Sequence, residues 1–229
     1  MVNVRRKIDY IIKKPGEISK ITKAVHYTEK AMKYALSVFE LGMSEKELAK
    51  KIRGWASEHG LKVGFCLIQG DSNTASIHGK PTNHKIRKIL LIDLGLIYKG
   101  YFGDITRTYL LTPDKKMKKV YSIVKKAHEM AISKVKLGMP CKAIDSVVRK
   151  KIIKHDYKFL HSTGHGVGMC VHEYPKISQK SDDIFQRGMV FTIEPGIYLK
   201  GSFGVRIEDV FVMKNKIQKL SKIKIPDYD

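Results

Sequence analysis

The sequence predicts an α+β fold, in which two pairs of helices are each followed by β-strands. Apolar residues recur at helical spacing near residues 15–60 and again near 113–154, and short apolar runs bounded by turn residues follow each stretch. From residue 159 onward the pattern is mostly strands and turns. No low-complexity segment or linker interrupts this order, so we expect one domain over residues 1–229, with residues 1–14 as a basic N-terminal extension.

Helix-start signals place three of the four predicted helices. Pro15 opens the first, because proline is favoured in the first helical turn. Ser44 and Glu47 form a capping box at the start of the second. Pro113 and the residue after it open the third. We expect helices over residues 15–40, 44–60, 113–135 and 141–154.

The other apolar runs predict strands. Residues 88–112 indicate a β-hairpin that turns near Lys99 and Gly100. Residues 70–87 are polar and contain glycine, proline and asparagine, so we expect a loop there. Further strands are expected over residues 61–69, 167–172, 188–194, 204–213 and 216–220.

Composition narrows the class of protein. Hydrophobic residues make up 43%, which supports a real core, and no run approaches the roughly 20 apolar residues of a membrane-spanning helix, so no membrane contact is expected. Cys66, Cys141 and Cys170 are odd in number and widely spaced, which favours reduced thiols in a cytoplasmic protein. The net charge is +22, but the lysines are scattered, so we interpret them as a solvated surface rather than a nucleic-acid site.

Five ionisable residues lie in apolar or glycine-rich settings, where a lone charge is costly. They are Asp93, Asp104, His165, Glu194 and Glu208. Asp93 and Asp104 lie on the two arms of the hairpin, so we expect them nearly opposite each other. Two carboxylates so placed repel each other unless they share a proton or a cation.

Simpler interpretations exist for single members of this set. Glu208 alternates with Arg206, which predicts one strand face and an ion pair. The glycines beside His165 indicate a close approach of two backbones, and Glu194 stands where a strand ends. A ligand set of carboxylates and an imidazole suits manganese, iron, cobalt or zinc. The absence of thiolates speaks against a structural zinc site.

Four motifs carry a resemblance to a known family. The sequences LLIDLG…YFGDITRT, HSTGHGVGMCVHEYP, GMVFTIEPGIY and FGVRIEDV resemble those of the pita-bread metallopeptidases, and most closely the Xaa-Pro peptidases, aminopeptidase P and prolidase. The resemblance spans roughly residues 15–220. It implies a curved antiparallel sheet with the two helical pairs on its outer face. The implied activity is hydrolysis of the Xaa-Pro bond, at the N-terminus of peptides or in dipeptides, by a metal-bridging water.

The resemblance also implies cofactors and roles. Two divalent ions are expected, first manganese or cobalt, with iron or zinc as alternatives, together with a peptide substrate that has a free N-terminus. The implied metal ligands are Asp93, Asp104, His165, Glu194 and Glu208, of which Asp104 and Glu208 bridge. Glu194 is also the implied general base. The implied substrate-side residues are His78, His161, His172 and Arg206.

Two alternatives stay open. Aminopeptidase P and prolidase carry an additional N-terminal domain that we expect to be absent here, since the resemblance begins near residue 15. That layout resembles methionine aminopeptidases, which remove the initiator methionine and share the fold and metal set. Non-catalytic pita-bread binding modules are the second alternative, although such modules typically lose metal ligands. In relatives the additional domain contributes to dimerisation. Because we expect that domain to be absent here, both a homodimer and a monomer stay open.

Overall fold

The computed structural model describes residues 11–228, and the predicted N-terminal extension lies mostly outside them. Its helices are α1 Pro15–Val38, α2 Glu45–Glu58, α3 Lys115–Lys134 and α4 Cys141–Ile153. All four predicted helices are confirmed. Their caps agree with the sequence signals, since Ser44 Oγ accepts a hydrogen bond from Glu47 N at 3.2 Å and Asp114 Oδ1 accepts one from Met117 N at 2.7 Å. None of the described helices is long and apolar enough to cross a membrane.

The strands form antiparallel sheets. They are β1 Lys62–Gly70, β2 Ile89–Tyr98, β3 Tyr101–Phe102, β4 Ile105–Leu110, β5 Gly164–Gly166, β6 Glu173–Ile177, β7 Val190–Ile193, β8 Gly196–Leu199, β9 Phe203–Arg206, β10 Asp209–Met213 and β11 Ile217–Lys219. In the first sheet β2 pairs with β1, β3 and β4. The second sheet has the order β11-β10-β7-β5-β6, and β8 pairs with β9.

The predicted hairpin is confirmed, and its register corrects one expectation. Lys99 and Gly100 both have positive φ, 48° and 81°, as a tight hairpin turn requires. Asp93 stands opposite Thr106, and Asp104 comes two residues before Thr106. The two carboxylates are therefore diagonal neighbours across the hairpin, offset by two residues from the nearly opposite placement that was expected.

The C-terminal strands differ from the prediction in two places. Residues 167–172 are irregular, because Gly168 N donates a hydrogen bond to Cys170 O at 3.1 Å and turns the chain. The expected strand over 204–213 is two strands, since Ile207 N bonds Pro195 O at 3.3 Å whereas Glu208 N bonds Thr106 O at 3.0 Å, in the first sheet. Arg206 and Glu208 therefore lie on either side of a break. Apart from these two places, the short strands β5, β6 and β8 were not predicted.

Two hydrophobic clusters pack the two helical pairs against the strands. Side chains of α1 and α2 pack against Ile92 and Leu94 of β2. Those of α3 and α4 pack against Phe191 of β7 and Phe211 of β10. Because side chains alternate along a strand, Asp93, between Ile92 and Leu94, points to the face away from α1 and α2.

A buried ionic cluster lies beside the link between the two sheets. Asp209 Oδ1 accepts a hydrogen bond from Arg107 Nη2 at 2.5 Å, and its Oδ2 lies 2.6 Å from Lys219 Nζ. The fully buried His128 places Nε2 3.3 Å from the same Asp209 oxygen. Burial lowers the pKa of His128 to about 4, because Arg107 and Lys219 offset much of the attraction of Asp209. Arg107 also donates to the carbonyl oxygen of Glu208.

Candidate metal centre and active site

The five residues singled out from the sequence converge on one cavity. Asp93 lies on β2 and His165 on β5, whereas Glu194 directly follows β7. Asp104 precedes β4, and Glu208 occupies the link between β9 and β10. All five line a cavity of about 350 Å³. The two sheets and the strand ends between them thus bring together residues that are far apart in sequence.

The glycines beside His165 let β5 pass very close to its neighbours. A Cβ on Gly164 would lie 2.0 Å from Thr192 O, and one on Gly166 would lie 2.0 Å from Tyr174 O. Both distances are far below any van der Waals contact. The expectation of close backbone approach is confirmed, and it explains how His165 reaches the cavity floor from a three-residue strand.

His165 presents an unprotonated nitrogen to the carboxylates. Its Nδ1 lies 3.1 Å from the carbonyl oxygen of Gly166, which can only accept, so Nδ1 carries the proton. Burial, with His172 nearby, lowers the pKa of His165 to about 4, so the ring is neutral near pH 7. Nε2 then faces Asp104 Oδ2 at 3.7 Å and Glu194 Oε1 at 3.5 Å. A neutral imidazole oriented by its other nitrogen is the form that binds metals.

Burial and mutual repulsion raise the pKa of three of the carboxyl groups. Burial first, and then Glu208, raises the pKa of both Asp104 and Glu194 well above its usual range. Burial and Asp93 raise the pKa of Glu208 to about 7. Among residues 11–228, Arg206 is the only basic side chain besides histidines that lines the cavity. The protein therefore supplies too little positive charge to balance this many buried acidic groups.

The donor set fits divalent cations. Ligand atoms of Asp104, His165 and Glu208 lie within 4.8 Å of one another. Asp93 Oδ2 accepts a hydrogen bond from Arg206 Nη2, but its buried Oδ1 has no hydrogen-bond partner among residues 11–228. A buried carboxylate oxygen left unpaired beside an imidazole and further carboxylates suits manganese, iron, cobalt or zinc.

A threonine links the two sheets at this site. Thr106 Oγ1 donates a hydrogen bond to Glu208 Oε2 at 2.7 Å and accepts one from Arg206 Nε at 3.2 Å. Arg206 pairs with Asp93 and not with Glu208, so the expected ion pair on one strand face was wrong. Thr106 and Arg206 together fix Glu208 and Asp93 relative to each other.

Arg206 also begins a directed chain of hydrogen bonds. Its Nη1 donates to Tyr198 Oη at 2.8 Å, and Tyr198 Oη lies 3.0 Å from His161 Nε2. His161 Nδ1 donates to the carbonyl of Ser162 at 2.8 Å, so Nε2 accepts the tyrosine proton. Burial and Arg206 lower the pKa of His161 to about 3, which keeps the ring neutral. Both nitrogens of His161 are therefore already engaged.

The remaining predicted residues line the walls. His78 and His172 border both the metal-side cavity and an adjoining cavity of about 550 Å³. The exposed ring of His172 stands edge-on to His165, with 4.3 Å between centroids, and partial burial lowers its pKa. His161 borders only the adjoining cavity. All nine candidate site residues thus lie in or around one connected cleft.

Sequence reasoning did not single out Thr106 and Tyr198 as site residues. Both stand inside motifs that were recognised, YFGDITRT and GMVFTIEPGIY. Neither carries a charge, so their position among buried charges gave no signal on its own. Only the side-chain contacts identify them as the residues that connect Arg206 to Glu208 and His161.

Comparison with known proteins gives a consistent result. Residues 19–215 match the family described as metallopeptidase family M24. The chain is 44% identical to an uncharacterized peptidase of Methanocaldococcus jannaschii, over 95% of this chain and 65% of that protein. It is 39% identical to the Xaa-Pro dipeptidase of Pyrococcus furiosus, over 93% of this chain and 63% of that protein. The chain thus spans a little under two thirds of these relatives.

Solved structures match this chain over a similar share of its length. An X-Pro aminopeptidase from Thermotoga maritima superposes with a TM-score of 0.92 at 36% identity, covering 96% of this chain and 65% of that one. Prolidase from Pyrococcus furiosus gives a TM-score of 0.91 at 37% identity, covering 95% and 67%. The predicted pita-bread fold is confirmed.

Proposed function

The chain belongs to metallopeptidase family M24, and on this premise we propose that it hydrolyses the Xaa-Pro bond at the N-terminus of peptides or in dipeptides. The observation that carries the proposal is the convergence of four carboxylates and a neutral imidazole on one cavity. Support for the Xaa-Pro part comes from relatives named Xaa-Pro dipeptidase, prolidase and X-Pro aminopeptidase. We further propose that residues 1–229 form one catalytic unit.

We propose that the cavity holds two divalent cations, with manganese or cobalt as the first choice. When bound, they would polarise the scissile carbonyl and lower the pKa of the attacking water. Asp104 and Glu208 are proposed to bridge the two ions. Asp93 would serve one ion through its free Oδ1, and His165 with Glu194 would serve the other.

Glu194 is proposed to move the proton. Its carboxyl group lies beside His165 Nε2, at 3.5 Å, and borders both cavities, so it faces the space where a substrate would lie. It would take the proton from the attacking water and deliver it to the proline nitrogen that leaves. Cation binding would lower its raised pKa towards the range where it can act as a base near neutral pH.

His172 and His78 are proposed to hold the substrate. Both line the two cavities, and a neutral His172 ring can donate one N–H to a substrate carbonyl. An Xaa-Pro bond has no N–H of its own, so recognition depends on its carbonyl oxygens. His161 would act as a fixed wall of the adjoining cavity, because both of its nitrogens are already bonded.

One assay separates the competing activities. The protein is prepared metal-free, loaded with Mn²⁺ or Co²⁺, and offered Xaa-Pro dipeptides, Xaa-Pro-Xaa peptides and Met-initiated peptides. We expect metal-dependent cleavage of the proline-containing peptides. Cleavage of only the Met-initiated set would instead assign a methionine aminopeptidase, and no cleavage of any peptide at full metal occupancy would favour a binding module.

A further inference from the structure

A groove continues from the active-site cavity along the outer side of β1. Its volume is about 710 Å³, and it shares Gly64, Phe65 and Leu67 with the metal-side cavity. On the far side it is bordered by α2 and by Lys80 and Pro81. A ligand in the groove would therefore lie against the same apolar side chains as a peptide at the metal centre.

The far wall of the groove is uniformly cationic. Lys46, Lys50 and Arg53 follow each other at helical spacing on α2, so they share one face, and Lys80 lies across from them. All four are exposed. No Asp or Glu lines the groove, and none of the four pairs with an acidic residue within 11–228. Four unpaired cations on one wall create a positive potential that attracts acidic groups.

The near wall offers backbone groups. Among the described residues β1 pairs only with β2, so its other edge presents unpaired N–H and C=O groups, except at Gly70, whose N–H donates to Glu45 Oε1 at 2.7 Å. An extended peptide can dock on such an edge by adding a strand. The cations of α2 lie beside this edge, at the height of Gly64, Cys66 and Leu67.

We propose that this basic groove binds acidic residues of a peptide substrate. The proposal rests on the peptidase function above and names its substrate class: peptides that carry Asp or Glu close to the scissile bond. Phe65 and Leu67 would contact the part of the peptide nearest the metal centre, and Lys50 and Arg53 would pair with carboxylates further along. The net charge of +22 favours the encounter with acidic peptides in general.

Paired peptides test the groove. Leu-Pro-Glu-Glu-Glu is compared with Leu-Pro-Gln-Gln-Gln, and Glu-Pro with Gln-Pro, in the metal-loaded enzyme. At low salt we expect KM for the acidic member of at least one pair to be lower. The effect should be roughly 10-fold for the three-glutamate peptide, as several exposed ion pairs would give, and at most about 5-fold for Glu-Pro, as one such pair would give. This ratio should fall towards one near 1 M salt. The pair that responds shows on which side of the scissile bond the groove lies.

Reversing the charge of two groove residues tests whether the groove causes the KM preference for acidic peptides. In the double variant Lys50→Glu and Arg53→Glu the KM preference for the acidic peptide should disappear or invert. Lys51→Glu is the matched control, since Lys51 is an exposed neighbour on α2 that does not line the groove. An unchanged KM ratio in the double variant, or equal KM values within both pairs for the parent protein, would overturn the proposal.

A binding measurement keeps this test separate from the peptidase proposal. Fluorescence anisotropy of labelled Leu-Pro-Glu-Glu-Glu is recorded with the Glu194→Gln variant, which is expected to bind without cleaving. Salt-sensitive binding that the double reversal removes would support the groove even if no peptide were ever cleaved. Cleavage without any charge preference would leave the peptidase assignment intact and end the groove proposal.

Discussion

Asp93 shows how one side chain can serve two partners. Arg206 takes its Oδ2, which leaves a buried Oδ1 facing the cavity without a partner among residues 11–228. A guanidinium on one oxygen orients the carboxylate and leaves the other free for a cation. The sequence identified Asp93 because a lone charge in an apolar run is costly. It could not reveal the link to Arg206, which lies 113 positions away in sequence.

Removing either of the two carboxylates proposed to bridge the cations should abolish metal binding at the proposed centre. We expect Asp104→Ala or Glu208→Ala to lower metal-dependent cleavage by more than about 100-fold, since loss of a ligand should exceed the effect of losing an outer partner. Metal content per protein, measured after metal-free preparation and reloading, should fall in parallel. Asp182→Ala is the control, because that carboxylate is almost fully exposed, at 98%. Full activity in either bridging variant would contradict the assignment.

Helices and strands were predicted correctly where the local sequence marks their ends or their side-chain pattern. Two of the helices carry side-chain caps, at Ser44 and Asp114, and the ends of all four were close to those expected. The strand β5 was not predicted because three residues with two glycines show neither alternation nor β-propensity. The break at Ile207 arises from a change of hydrogen-bond partner between sheets. Such a change depends on tertiary contacts and has no signal in the local sequence, so it could not be predicted.

The glycines of β5 should tolerate no side chain. We expect Gly166→Ala to lower the melting temperature and the metal affinity, because its Cβ would lie 2.0 Å from Tyr174 O and would push β5 and β6 apart. The cost should be at least about 1–3 kcal/mol, as for other overpacked sites. Thermal unfolding and calorimetric titration with Mn²⁺ measure the two effects.

Gly54→Ala is the matched control for Gly166→Ala, because it should stabilise the protein and not destabilise it. Gly54 lies inside α2, and a Cβ added there would meet no atom within 4 Å beyond the backbone of its own helix. Alanine there should stabilise by roughly 0.5–1 kcal/mol, since glycine is the poorer helix former. If both substitutions lowered the melting temperature equally, the close packing of β5 would not be the cause.

For the whole molecule, the two sheets are joined through buried charges as well as apolar packing. Glu208 N bonds Thr106 O across the sheets, and Arg107 binds Asp209 on the neighbouring strand. His128 of α3 approaches the same carboxylate and so connects the second helical pair to this junction. The sequence predicted the helical pairs and the strands, but the way they share one buried ionic cluster follows only from the assembled fold.

His128 should make the whole protein sensitive to acid. Its folded pKa of about 4 lies below its ordinary value of 6.5, so the unfolded chain binds more protons between these limits. Stability is therefore fully present above about pH 6.5 and is lost as pH falls towards 4, by up to about 3 kcal/mol.

The unfolding free energies of the parent protein and of His128→Gln are measured by chemical denaturation at several pH values. In His128→Gln this part of the acid sensitivity should vanish, so the difference in unfolding free energy between parent and variant should shrink between pH 7 and pH 4.5. His26→Gln is the control, because His26 is exposed on α1. A difference that stays constant over this range would show that His128 does not titrate as described.

The division of the five cavity residues between two sheets also sets an order in time. During synthesis the first sheet receives Asp93 and Asp104 together, and its helices α1 and α2 are already made. A nascent chain at that stage contains only two of the five proposed ligands. The imidazole of His165 follows about 60 residues later, and Glu208 arrives last to close its amide onto Thr106. On the proposed assignment, the complete ligand set for the cations would therefore exist only after residue 208 has been made, so metal capture would come late in folding.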